Sequence, residues 1–405
     1  MGRNASNEWK TAQLGDVIEL FDAQRVPLNS RERQERQGEY PYYGAQGIID
    51  HIDDYIFAKA WVAVMPHAYT EDQLVEQPAI RLFADLGWST VSALDETFGV
   101  TSTLSRETKG DVVLVSRLRA ALERLNPALP PEAITSAIDE LTRDRSAMSL
   151  EAANREVYLL LKAGIRVSIA DREPSPQPSR KGRGNKEGGQ RDERLRVVDW
   201  EHPENNDFLL VSQFSVTGDL YTCRPDLVGF INGLPLVVIE LKKPGVPARA
   251  AFDENLTHYK QQVPALFWFN ALLVASNGTD SRVGSLTADW DRFFEWKRIA
   301  REDEPRRVSL EVMLRGTCDR TRLLDLVENF TLFSEHKAGL VKILGQNHQV
   351  LGVNNSIASM LEARTRGHGR AGVFWQTQGS GKSFAMVFFA QKVLRKVAGN
   401  WTFVV

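Results

Sequence analysis

Residues 224–244, RPDLVGFINGLPLVVIELKKP, set two apolar runs on either side of Asn232-Gly233. Such a pair between apolar runs is the strongest short hairpin signal, because a type I′ turn needs positive φ at both central residues. Folding the chain there pairs Ile231 with Leu234 and brings Asp226 opposite Ile239, one position short of Glu240. Pro235 lies in the second strand, where proline is tolerated at an edge or a bulge, and one bulged residue removes the offset. Strand side chains alternate with period two, so Glu240 and Lys242 share a face while Lys243 points away. Two carboxylates and one ammonium are therefore expected to converge at the mouth of an apolar hairpin.

That trio suits a divalent metal. Mg²⁺ takes oxygen ligands, keeps several waters, and is usually held by one or two carboxylates plus substrate phosphate. Asp226 and Glu240 fit as metal ligands, with Lys242 orienting a water or neutralising charge that grows on a phosphate. A Glu-x-Lys at a strand end also discourages edge pairing, so the pattern by itself admits either reading.

Around the hairpin, FLLVSQFSV, LPLVVIEL and FNALLVAS are short, apolar and bounded by turn residues, with helical patterns between some of them. This predicts an α/β core. Upstream, Thr70 and Gln73 form a capping-box pattern ahead of a helix carrying Leu74, Ile80, Phe83 and Leu86, with Gly87 closing it. Val115, Leu118, Leu122 and Leu125 fall at helical spacing, Pro130-Pro131 opens a second helix through Leu141, and Gly164 caps a third from near Ser149. The proline-, glycine- and charge-rich stretch within 172–195 reads as a mobile surface loop. From about residue 322 the pattern is helical until GVFWQT, 372–377, which reads as a buried strand.

Bulk properties narrow the class. A chain of 405 residues predicts two or three domains, and 42% apolar with 25% charged residues is a globular composition. The formal net charge of −2 gives no overall electrostatic footprint for nucleic acid, so DNA contact would need local basic patches. Cys223 and Cys318 are far apart without a CxxC partner, which argues against a disulfide framework or zinc site and fits a reducing cytoplasm. No apolar run approaches the ~18 residues of a membrane span, and MGRNASNEWK lacks a signal-peptide core. The expected location is cytoplasmic, with no membrane partner.

Pro225-Asp226 with Glu240-Leu241-Lys242 resembles the PD-(D/E)xK nuclease motif. The phrases SRETKGDVVLVSRLRAALERLNPALPPEAITSAIDEL and DWEHPENNDFLLVSQFSVTGDLYTCRPDLVGFINGLPLVVIELKKP resemble the restriction subunit of type I restriction-modification enzymes. The likeness runs from about Met65 to the C-terminus. It implies a restriction-endonuclease-like core with helical insertions, Mg²⁺-dependent cleavage of double-stranded DNA, and specificity and modification (methyltransferase) subunits as partners. It also implies a further acidic residue on the first helix, matched by Glu76 in LVEQPAI, which would otherwise be an ordinary exposed helical carboxylate. The family places a supporting glutamine four residues before a tyrosine. Tyr259 is present here, but the glutamine position holds Asn255, which leaves the role of Asn255 open, and Tyr259 serves equally as packing.

TQGSGKS, 377–383, follows GVFWQT and opens the apolar pattern SFAMVFFAQKVL. Glycine-turn N–H groups and a helix N-terminus are suited to phosphate oxygens. Gly379, Ser380, Gly381, Lys382 and Ser383 are thus candidate ATP-binding residues, Lys382 toward the β- and γ-phosphates and Ser383 toward Mg²⁺. The strict P-loop pattern fails at Gln376, and the run instead resembles motif I of superfamily 2 helicases. That resemblance implies the first lobe of a RecA-like motor. Only 22 residues follow Ser383, so the lobe is expected to be incomplete and unable to hydrolyse ATP alone, with ATP bound in the intact subunit and weakly or not at all by this chain. Gln349 resembles an adenine-reading glutamine or is an exposed helical residue.

Residues 8–57, through Leu14-Gly15-Asp16 and Tyr40-Pro41-Tyr42-Tyr43-Gly44, resemble the start of a target-recognition domain of the specificity subunit. Tyr42 and Tyr43 either stack on DNA or fill a partial β module. The stretch from Ala58 to Met65 reads as a junction of two gene fragments or a misjoined frame. The expected organisation is a specificity-like segment at 1–64, a nuclease domain at 65–300, and a connector with the motor start at 301–405. The rival functions are an ATP-dependent DNA translocase and a catalytically silent fragment that binds partners or DNA.

Overall fold

The apolar runs around Asn232-Gly233 form the centre of a seven-stranded mixed sheet in the computed structural model. The structure describes residues 28, 30–44, 47–53, 72–99, 102–170, 190–337 and 339–404. The chain divides into two units, Met1–Ala68 and Tyr69–Val405. In the first, helix Ser30–Glu35 precedes an antiparallel hairpin of Gln37–Gly44 and Gly47–Ile52. Arg36 pairs with Asp53 at 2.9 Å within it. The expected roles of the Tyr42 and Tyr43 side chains, Leu14-Gly15-Asp16 and the junction near Met65 lie outside what is described.

In the second unit we number the strands of the large sheet β1 (Ser89–Ser92), β2 (Phe208–Ser212), β3 (Leu227–Ile231), β4 (Leu234–Leu241), β5 (Leu272–Ser276), β6 (Ser281–Gly284) and β7 (Phe294–Glu295). Their spatial order follows the chain, β1 to β7. β1/β2 and β4/β5 are parallel and the other neighbours antiparallel. Every residue of β2, β3, β4 and β5 is buried, so the middle of the sheet is covered on both faces. Continuous apolar runs with no polar alternation are what such strands require.

Helices supply the cover. Gln77–Asp85 packs on β1 and β2, and Phe83 meets Trp88 edge-on at 5.1 Å. On β4 and β5 lies a continuous helical run, 248–262, whose middle, Ala251–Leu256, is a π-helical turn. Val115–Leu125, Pro131–Thr142 and Leu150–Ala163 form as their periodicity predicts, and Ser149 caps the third by accepting from the Ala152 N–H at 3.3 Å. Helix Gln77–Asp85 is preceded by a π-helical turn, Asp72–Glu76; Thr70 of the expected capping box lies outside the described residues. No described helix is long and apolar enough to cross a membrane.

Three expectations are corrected. The last part of the loop expected at 172–195 is a strand: Gln190–Leu195 pairs antiparallel with Ile165–Ala170. Its charged residues hid a period-two ladder that buries Leu195 beside Val167 and Ile165. The stretch after 322 is not wholly helical, since Thr331–His336 and Gly339–Leu344 form a hairpin. Finally, 372–377 is not a buried strand. It has no regular structure, no described strand pairs with it, and Val373 and Trp375 are 93% and 77% exposed. Apolar composition alone does not make a strand, because a strand also needs a neighbour to close its ladder.

Candidate active site

The β3–β4 turn has the backbone its sequence demands, with Asn232 at φ 51° and Gly233 at φ 79°. Asn232 is fully buried and donates to the Val197 carbonyl and Asn206, both at 2.9 Å. Gly233 lies under the start of Val115–Leu125, and a Cβ there would come 2.5 Å from the Leu114 carbonyl. This turn is therefore fixed by its surroundings as well as by its own φ preference. From it the register runs Leu234↔Ile231 and Pro235↔Phe230, then shifts before Val237↔Gly229 and ends at Ile239↔Leu227. The bulge near Pro235 makes Asp226 and Glu240 opposite neighbours at the strand ends.

The side chains follow from that register. Asp226 Oδ2 accepts from the Leu241 backbone N–H at 2.7 Å. Glu240, 2% exposed, sits between β3 and β5. Lys242 lies one residue past β4, its N–H donating to the Ser276 carbonyl at 2.8 Å, and its Nζ is 3.8 Å from Glu240 Oε1. Lys243 is exposed. Asp226, Glu240 and Lys242 are thus brought together.

The π-helical turn and the helix after it complete this group. Lys242 Nζ donates to Asn255 Oδ1 at 2.8 Å, Asn255 Nδ2 donates to Tyr259 Oη at 3.1 Å, and Tyr259 Oη donates to Glu240 Oε1 at 3.4 Å. Asn255 therefore bridges lysine and tyrosine, and Tyr259 is more than helix packing. Burial, then the charges of Glu240 and Asp226, push the Tyr259 hydroxyl well above the usual tyrosine range. Burial first, then the Glu240 charge, also raises the Cys223 thiol, which donates to Gln262 Oε1 at 3.0 Å.

Glu76 ends the π-helical turn Asp72–Glu76 and is only 6% exposed, unlike an ordinary helical carboxylate. Both its oxygens accept from Gln213 Nε2, at 3.0 and 2.9 Å. The Gln213 N–H in turn donates to the Asp226 carbonyl at 2.8 Å. Sequence reasoning missed Gln213. Its one signal is its place directly after an apolar strand, where the chain leaves the sheet. A cleft of about 490 Å³ opens beside Glu76, Ser212 and Gln213.

The donor chemistry decides which metal fits. Among the described residues no group of three or more His, Cys, Asp or Glu side chains is arranged around a common point. Two neighbouring carboxylates without imidazole or thiolate suit a hard, hydrated cation such as Mg²⁺ better than zinc, which takes nitrogen and sulfur ligands.

The second candidate site lies elsewhere in this unit. Helix Lys382–Lys396 starts immediately after Gly379 and Gly381, both at positive φ, 82° and 79°. Lys382 Nζ donates to the Gln376 carbonyl at 2.9 Å, and Ser380 Oγ to the Thr377 carbonyl at 2.7 Å. Gln349 is buried rather than an exposed helical residue: it closes a capping box with Gln346 and donates to the carbonyls of Ser380 and Gly381 at 3.2 and 3.1 Å. The helix start at Asn347 delivers it to the glycine turn. A broad cleft of about 1660 Å³ runs past Gln376, Thr377, Ser380 and Ser383.

Residues 68–292 match the family described as type I restriction enzyme R protein N terminus, and the chain belongs to that family. Residues 348–405 match the SWI2/SNF2 ATPase family. The chain is 35% identical over 330 residues to the type I restriction enzyme HindI endonuclease subunit of Haemophilus influenzae, covering 79% of this chain and 30% of that protein. It is 28% identical over 363 residues to the putative type I restriction enzyme MjaIXP endonuclease subunit of Methanocaldococcus jannaschii, covering 83% of this chain and 32% of the relative. A Staphylococcus saprophyticus relative, the type I restriction enzyme SsaAORF53P endonuclease subunit, is 30% identical over 205 residues, 49% of this chain and 20% of its own. The chain thus spans about a third or less of the curated relatives it matches.

Proposed function

We propose that residues 65–300 carry a Mg²⁺-dependent DNA-cleaving centre of the PD-(D/E)xK kind, the nuclease module of a type I restriction enzyme. The observation that carries this reading is the meeting of Asp226, Glu240 and Lys242 at the ends of β3 and β4. Membership of the R-protein family and similarity to proteins named as endonuclease subunits support it.

In this reading Asp226 and Glu240 hold the metal and Glu76 supports them from the first helix. Bound there, Mg²⁺ would supply an activated water and a charge on the scissile phosphate. The chain's own contribution is positional and electrostatic. Asn255 holds the Lys242 ammonium beside Glu240, so a positive charge stands ready where a phosphate gains negative charge. Tyr259 and the Leu241 N–H fix the carboxylates, limiting the reorganisation needed when substrate arrives. Gly379, Ser380, Gly381, Lys382 and Ser383 are assigned to ATP, supported by the SWI2/SNF2 match and the glycine turn before a helix. Double-stranded DNA, specificity and modification subunits, and a cytoplasmic setting complete the proposal.

The test is nicking of supercoiled plasmid by the chain in the presence of Mg²⁺. Activity is expected to disappear in both Asp226→Ala and Lys242→Ala. Nicking that persists in either variant would overturn the assignment.

A further inference from the structure

Gln213 touches both parts of the candidate nuclease centre. We propose that it is a positioning residue of that centre, holding the Glu76 carboxylate against the Asp226 strand so that Glu76 supports metal binding. This inference rests on the metal reading of Asp226 and Glu240.

The backbone is the first indication. Gln213 follows β2 directly and has φ 57°, a left-handed conformation disfavoured for any residue with a Cβ. Only Ser105 and Asn232 share positive φ among the described non-glycine residues, and Asn232 forms the hairpin turn. Glycine would fit this conformation without strain, so the strained backbone at a glutamine points to a use for its side chain. The left-handed step keeps the Gln213 N–H on the Asp226 carbonyl at 2.8 Å while the amide turns to Glu76.

The side chain is the second. One amide nitrogen reaches both Glu76 oxygens, at 3.0 and 2.9 Å. A carboxylate that is 6% exposed has lost most of its water and needs donors to stay charged. An arginine or lysine would neutralise it. A neutral amide fixes its orientation without adding a charge of its own. The cleft of about 490 Å³ bordered by Glu76 and Gln213 leaves room on one side of the pair.

The experiment titrates the full-length chain with Mg²⁺ by calorimetry and follows thermal melting alongside. Gln213→Gly relieves the backbone and removes the amide. Its melting temperature is expected to stay close to that of the unsubstituted chain, relief of the left-handed backbone offsetting the donors lost to Glu76, while Mg²⁺ affinity falls about tenfold or more, as when an outer-shell partner of a metal ligand is lost. In a Glu76→Gln background the same substitution should leave affinity nearly unchanged, because the coupling it breaks is already absent. Unchanged affinity in Gln213→Gly, equal losses in both backgrounds, or melting well below the unsubstituted chain would each overturn the positioning role. No Mg²⁺ uptake by the unsubstituted chain would instead refute the metal reading, and this inference with it.

Discussion

The Asp226 carboxylate accepts a hydrogen bond from the Leu241 backbone N–H, 2.7 Å across the mouth of the central hairpin. One strand's side chain is thus held by the other strand's main chain, between Glu240 and Lys242. The bond exists because the register shifts between Pro235 and Val237. Without that bulge Asp226 would meet Ile239, and the two carboxylates would be offset by one residue.

Asp226→Asn separates the structural part of this contact from its charge. The amide oxygen still accepts from Leu241, so stability should change by less than about 1 kcal/mol, within the net worth of one hydrogen bond. Plasmid nicking should fall by about 10²-fold or more, since lost transition-state electrostatics cost that much. Thermal melting and a nicking time course read the two quantities. Cleavage near the unsubstituted rate would remove Asp226 from the reaction.

Asn255 offers a different test, because it bonds Lys242 and Tyr259 at once. In Asn255→Ala the ammonium loses its anchor although the charge remains. Nicking should drop about 10–100-fold, the usual cost of removing a group that orients a reacting one, while Mg²⁺ affinity barely moves. Loss of metal affinity as large as the loss of nicking would mean that Asn255 acts through Glu240 rather than Lys242.

Lys342 gives a pH dependence unconnected with cleavage. It is buried, donates to Asn154 Oδ1 at 3.0 Å and to the Asn270 carbonyl at 2.5 Å, and burial lowers its ammonium to about 7. Between that value and the ordinary lysine range the unfolded chain binds the extra proton and the folded chain does not. Stability should therefore rise as pH climbs through this window, and the penalty should be fully present below about 7. Lys342→Met removes this contribution, so the stability difference between the two proteins should shift in the lysine's favour from pH 7 toward 10. Other groups that titrate at high pH cancel in that difference. Denaturant melts at several pH values measure it, and a pH-independent difference would count against the buried ammonium.

Much of this was legible in residues 224–244. Asn232-Gly233 dictated a turn, Pro235 forced a bulge, and period two placed Glu240 with Lys242. These are local rules, and the surrounding structure agrees with them. Gln213 was not legible, because its role depends on a contact 137 residues away with Glu76. Nor did the sequence disclose Asn255 as a bridge, since a π-helical turn sets where that side chain points. The charge of Gln190–Leu195 obscures its strand, and the apolar content of 372–377 does not make a strand because no described strand pairs with it.

The glycine turn at 379–381 allows a last prediction. Gly381 has φ 79°, and a Cβ there would lie 2.5 Å from Gln349 Nε2, the amide that donates to the Ser380 and Gly381 carbonyls. Gly381→Ala thus meets two obstacles: a left-handed backbone, which costs a residue with a Cβ about 1–2 kcal/mol, and a displaced Gln349. If the turn holds phosphate in this conformation, ATP affinity should weaken by about tenfold or more, the equivalent of about 1.4 kcal/mol. The Asp226 centre shares none of these contacts, so Mg²⁺ uptake there should be unaffected. Anisotropy of a fluorescent ATP analogue, measured beside Mg²⁺ calorimetry, distinguishes the two sites. Equal ATP affinity in Gly381→Ala and the unsubstituted chain would mean that the phosphates, if bound, are held by another conformation of the loop.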